Sequence, residues 1–169
     1  MANEILTKSG TAKVFAAAGG NAAITLASLA DTKAQQSVKL DLGATRGPTY
    51  DVFVEIETGG AAPAAGECVY FYWSESPSVT AGTQNAGGAS GADAAYNDGS
   101  EAEWLKQLEF LGALVLTADA STVQRQRVGT FSPGLRYGSL VVWNESGQTF
   151  ETNNDEHKVT LTPIIPEVQ

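Results

Sequence analysis

An all-β fold, a single-domain β-sandwich of jelly-roll or Greek-key type, is the class that this chain of 169 residues predicts. Three observations lead there. Apolar residues recur at every second position in short runs, which is the period of a strand with one buried face. Clusters of Gly, Pro, Asn and Ser separate those runs, at places where the chain must reverse. The chain is 43% hydrophobic and only 17% charged, so it can fill one core of single-domain size, and whole-chain disorder is excluded.

The alternation is clearest in Tyr50, Val52, Val54 and Ile56, which are interleaved with Asp51, Phe53, Glu55 and Glu57. Val38, Leu40 and Leu42 alternate with Lys39 and Asp41 in the same way. Further strands are expected at residues 140–143 and 159–161, and weaker ones at 13–17, 23–26 and 123–128. The run Cys68-Val69-Tyr70-Phe71-Tyr72-Trp73 is β-branched or aromatic on both faces, as in a central strand covered on both sides. The lone Cys68 is expected there as a small buried hydrophobe. Together these make about eight to ten short strands.

Two stretches depart from the pattern. Residues 75–100 form one long Gly/Ala-rich loop, with Val79 and Tyr96 as the bulky anchors. A loop this long is either a flexible connection or a surface arm that touches a neighbouring subunit. After it, Ser100-Glu101-Ala102-Glu103-Trp104-Leu105 carries Ser followed three residues later by Glu, a capping-box signature for at most one short helix. The strand pattern resumes at Leu111. Residues 1–10 are a candidate N-terminal arm and 162–169 a C-terminal tail, whose prolines make it awkward in the middle of a sheet.

Charge and reactive residues narrow the function classes. Lys plus Arg is 10 and Asp plus Glu is 19, a net charge of −9. A nucleic-acid binder needs clustered cations, so none is expected. One Cys and one His exclude a disulfide framework and a His/Cys metal centre. No secretory signal and no apolar run near the roughly 20 residues of a membrane span is present, so no membrane partner is expected. His157 follows Asn153-Asn154-Asp155-Glu156 and reads as part of a solvated turn. Asp93, Asn97 and Asp98 before Gly99 miss the spacing of a calcium loop. Glu55, Glu57 and Glu67 would serve a glycosidase only if two faced each other across a cleft, and read more simply as surface acids. No catalytic, metal or cofactor residues are therefore assigned. Tyr70, Tyr72 and Trp73 would form a sugar-stacking platform only if exposed. Arg125 and Arg127 share one face of a strand, placed either to anchor a partner's carboxylate or as unpaired surface charge.

A resemblance adds to this reading. The opening Met-Ala-Asn-Glu-Ile-Leu-Thr-Lys-Ser-Gly-Thr-Ala is similar to the start of small virion structural proteins of tailed bacteriophages. The likeness continues in Ile24-Thr25-Leu26-Ala27-Ser28-Leu29-Ala30, in residues 50–56, in Val69-Tyr70-Phe71-Tyr72, in Leu108-Glu109-Phe110-Leu111-Gly112 and in residues 137–147. The order and spacing of these segments carry it; the Gly/Ala-rich insert fits least. Such proteins resemble capsid decoration (cement) proteins or related head and tail components. The resemblance implies a β-sandwich on the outer surface of the head, in the virion, bound to the major capsid protein as a homo-oligomer (trimer or dimer) and without catalysis. A tail, collar or fibre-base component is the alternative. The candidate partner or oligomer contacts are Ile5 and Leu6 in the first segment, Val79 and Tyr96 in the loop, Arg125 and Arg127 on their strand, and Ile164 and Ile165 in the tail.

Overall fold

A computed structural model describes residues 5–97 and 99–168. It is an all-β sandwich, with eleven strands among the described residues. In chain order they are β1 (Ile5–Ser9), β2 (Lys13–Phe15), β3 (Ala34–Gln36), β4 (Leu40–Asp41), β5 (Thr49–Ile56), β6 (Cys68–Ser76), β7 (Ala94–Ala95), β8 (Glu109–Val115), β9 (Gln124–Phe131), β10 (Tyr137–Glu145) and β11 (Lys158–Val168). One short helix, α1 (Glu101–Trp104), precedes β8. Sheet A runs β1-β11-β5-β9, with β2 continuing β1 along the same edge of β11. Sheet B runs β7-β3-β10-β6-β8, with β4 continuing β3 along β10. Every strand pair is antiparallel. The chain crosses from one sheet to the other at six of its ten connections, and this strand order is that of a jelly roll.

Alternation explains the core. Tyr50, Val52, Val54 and Ile56 on β5 face Val69, Phe71 and Trp73 on β6 across the sandwich, and all seven are at most 1% exposed. Leu140 and Val142 of β10 and Val159 and Leu161 of β11 complete the layer. Each such side chain contributes roughly 1.5–3 kcal/mol by leaving water. Trp73 anchors one end, edge-on to Phe15 at 6.2 Å and beside Phe131 at 5.6 Å.

Sheet B carries a second, smaller core on its outer face. Ala34, Ala89, Tyr96, Leu105 and Val141 are buried there. The cover is the long loop. Its small residues let its backbone lie close to the sheet, and polar side chains of the sheet take up its hydrogen-bonding groups. Lys39 Nζ donates to Ser76 Oγ at 3.0 Å and to the carbonyls of Ser78, Thr80 and Thr83 at 2.7–3.1 Å. Ser74 Oγ donates to the Ala86 carbonyl, and Gln36 bridges the Ala95 carbonyl and the Ser90 amide. The segment is therefore neither a free connection nor a projecting arm. Each of the two central strands is covered on both faces over only part of its length, β10 as far as Val142 and β6 in its second half.

Other local expectations are corrected. Residues 23–26 are not a strand: Ile24 and Leu26 are buried, but the Thr25 amide and hydroxyl between them bond the Asp93 carboxylate. Ser100 stands at the N-cap of α1 without a side-chain cap bond, because its hydroxyl donates to the Asn97 carbonyl. Cys68 is half-exposed on the outer face of sheet B. The tail is a full strand, despite Pro163 and Pro166. The Pro163 carbonyl accepts from the Gly10 amide, so its nitrogen faces the gap where β1 hands over to β2. Pro166, an odd number of residues on, faces the opposite side. There β5 has ended, since its first residue, Thr49, pairs with Ile164. Neither proline removes a ladder bond.

The two sheets meet along β8 and β9. Gly112 (φ +149°) and Gly129 let the backbones touch: a methyl on either would press into the carbonyl of Val128 or of Leu111. Gln126 and Gln124 then accept hydrogen bonds from the amides of Val115 and Thr117 at 3.4 and 2.8 Å. Side chains satisfy here what would otherwise be an unpaired sheet edge.

Candidate functional site

The register of sheet B decides what its outer face shows, because cross-strand partners share a face. Glu145, Cys68 and Val115 form one row across β10, β6 and β8; Trp143, Tyr70 and Ala113 form the next; Val141, Tyr72 and Phe110 form the third. The loop covers the third row at Val141 and stops there. Beyond it lies a continuous aromatic surface. Tyr70 lies 5.8 Å from Trp143 and 6.3 Å from Phe110, and Tyr72 lies 5.4 Å from Phe110. Phe110 is 55% exposed and Val115 52%. Tyr70, Tyr72 and Trp143 are half-buried beside them, and aromatics gathered in this way mark an interaction surface more specifically than scattered ones.

Carboxylates border this surface. Glu67 precedes β6 and Glu145 ends β10, whereas Glu109 at the start of β8 pairs with the inward-facing Trp73 and lies off this face. None of the three has an ion-pair partner among the described residues. Burial pushes the Glu145 carboxyl above its ordinary value, with Asp31 and Glu67 adding to the rise. Burial likewise raises Glu109, helped by Glu75. The Tyr70 hydroxyl is raised by burial and by its neighbours Cys68, Glu145 and Glu67.

The residues singled out from sequence do not converge. Leu6 is 44% exposed on β1, opposite Glu167 of β11. Ile5 pairs through its backbone with Val168; its side chain and residues 1–4 lie outside what is described. Ile164 and Ile165 are half-buried in β11, with Ile165 packed over Gly10. Val79 is 69% exposed, on the stretch that Lys39 holds down. Tyr96 has no exposed surface with which to meet a partner. It is the centre of the second core, its hydroxyl donates to the Gly87 carbonyl at 2.5 Å, and burial pushes its pKa up to about 12. The two arginines are not unpaired charge. Arg125 bonds Glu55 at 2.8 Å, and Arg127 grips Asp51 at 2.5 and 2.8 Å, both on the outer face of sheet A.

The acid and metal candidates are dispersed. Glu55 is taken by Arg125, and Glu57, raised by burial and by Glu156, Glu151 and Asp119, belongs to sheet A, whereas Glu67 borders sheet B. Asp93 accepts from Thr25 and Gln35, and Asn97 donates to Gly87; Asp98 lies outside the described residues. His157 is no solvated turn. It is 2% exposed, its Nε2 donates to the Glu151 carbonyl at 2.9 Å, and its Nδ1 has no partner among the described residues. Trp73 is in the core, so only Tyr70 and Tyr72 of the proposed platform face outward. An open cleft of about 380 Å³ lies between Thr25, Ser28, Lys33, Gln35 and Glu101, where Glu101 accepts from Lys33 at 3.4 Å and from the Gly99 amide at 2.9 Å. Phe110 and Trp143 were missed as surface residues. Their signal was their strand parity, legible only once β6 was paired with both neighbours.

No helix among the described residues is long and apolar enough to cross a membrane. Comparison with protein-family models, curated proteins and solved structures finds no match.

Proposed function

We propose that this protein is a structural component of a tailed-bacteriophage virion, acting as a decoration protein that binds the outer surface of the head and stabilises its lattice. The observation that carries the reading is the partly exposed aromatic half of sheet B on a body whose strands are held in two full ladders. A cement protein adds binding energy at subunit junctions, and a rigid body loses little ordering entropy on docking. Repetition over many equivalent sites multiplies a modest contact. The resemblance of the ordered segments supports the same assignment, with the major capsid protein as partner and a homo-oligomer as the bound form. The test is direct: densitometry of purified particles is expected to give hundreds of copies per virion, and electron cryo-microscopy to place them on the outer shell. A few copies per particle would assign the chain to the tail, collar or fibre base instead.

A second reading has one observation in its favour. Tyr70 and Tyr72 do face outward beside Glu145, as a carbohydrate-binding surface requires. A glycan array that binds the protein, and loses that signal in Tyr70→Ala, would favour it.

A further inference from the structure

We propose that the aromatic face of sheet B docks a protein surface on which an apolar side chain is flanked by lysine or arginine. The inference rests on the decoration reading for the identity of that protein, a subunit of the shell, and adds which face meets it and by what chemistry.

The centre and the border of the face argue separately. Trp143, Tyr70 and Phe110 make a contiguous apolar centre, and aromatic residues at such centres carry much of the energy of protein interfaces. Their rings are tilted against one another by 39° and 49°, and Tyr72 lies at 57° to Phe110. That rolling surface offers pockets to a protruding side chain; a sugar ring wants one flat platform. The border is acidic without compensation. Glu67 and Glu145 have no cationic partner among the described residues, while the arginines of sheet A are each matched to a carboxylate. Glu145 is already partly desolvated and pushed by the like charges of Asp31 and Glu67. Opposing cations would relieve that repulsion and guide encounter. A second copy of this chain fits poorly, since two such faces would set acidic borders against each other in molecules of charge −9.

The experiment uses purified full-length protein and particles from a phage deleted for this gene, with bound protein read after sedimentation. Phe110→Asp is expected to weaken binding by at least about tenfold. Paired Glu67→Lys and Glu145→Lys should weaken it similarly, and should flatten the loss of binding that added salt causes in the parent protein. Phe53→Asp, on the outer face of sheet A where Phe53 is 39% exposed, should leave binding within about twofold. Thermal melts confirm that each variant is folded. Binding indifferent to Phe110→Asp but lost in Phe53→Asp would overturn the assigned face and leave the decoration reading intact. Stronger binding after charge reversal would overturn the basic partner. Competition by free oligosaccharides would overturn the protein partner in favour of a sugar. Parent protein that binds no shell at all would remove the decoration reading, and this inference with it.

Discussion

At the scale of single residues, buried polar groups dominate. The neutral His157 ring carries its proton on Nε2, because the Glu151 carbonyl there can only accept. Protonating the unpartnered Nδ1 would bury a charge, and burial holds the imidazole below its ordinary value. The unfolded chain binds that proton from about pH 6.5 downward and the folded chain resists it. Stability linked to His157 is thus complete above about pH 6.5 and falls as the pH drops, by up to about 1.4 kcal/mol per pH unit. Glu57, with its raised pKa, works in the opposite sense. The measurement is therefore a difference: urea unfolding at pH 5.5 and 7.5 should show a smaller acid loss in His157→Gln than in the parent. Arg127→Ala, by contrast, should cost about 0–1 kcal/mol by the same method, since its pairing with Asp51 is solvent-exposed. Little of this was legible from sequence. A polar run before a strand looks solvated, and only the packing of Phe150 at 5.6 Å from the imidazole shows otherwise.

Elements were legible where their own side chains decide their fate. Strand β5 shows its alternation because one face is core and the other is water. Strands β3 and β7 show nothing, because Ala-Gln-Gln and Ala-Ala are strands only through pairing with β10 and with each other. The long loop was illegible for a related reason. Its anchors, Lys39, Gln36 and Ser74, lie outside it in the chain, and its own composition suggests freedom. Tyr96→Ala should cost about 3–5 kcal/mol locally and speed amide exchange through residues 86–97, while the β5–β11 ladder keeps its protection. Tyr96→Phe, which removes only the bond to Gly87, should cost about 1 kcal/mol. The seam between β8 and β9 gives a sharper test. Gly112→Ala meets both a left-handed backbone and the Val128 carbonyl, and should lower stability by about 1–3 kcal/mol in chemical denaturation. An unchanged midpoint would mean that the sheets are not in contact there.

Across the whole molecule, the two outer faces divide the work of charge. Sheet A pairs the arginines of β9 with its own carboxylates, and sheet B, whose Asp41 is held by Arg136, leaves Glu67 and Glu145 open beside an apolar centre. A net charge of −9 favours solubility and separation of free copies, so added salt should favour self-association and weaken shell binding. The strand order places β1 and β11 side by side, so Ile5 and Val168 are neighbours at the edge of sheet A. That proximity makes the fold a candidate for circular permutation: a short linker joining Val168 to Ile5, with a new opening in the exposed turn at Gly60, would keep every ladder. It also means that cargo joined at Ile5 or at Val168 would leave from the same edge of sheet A, on the opposite sheet from the aromatic surface, leaving that surface free while the particle displays the load.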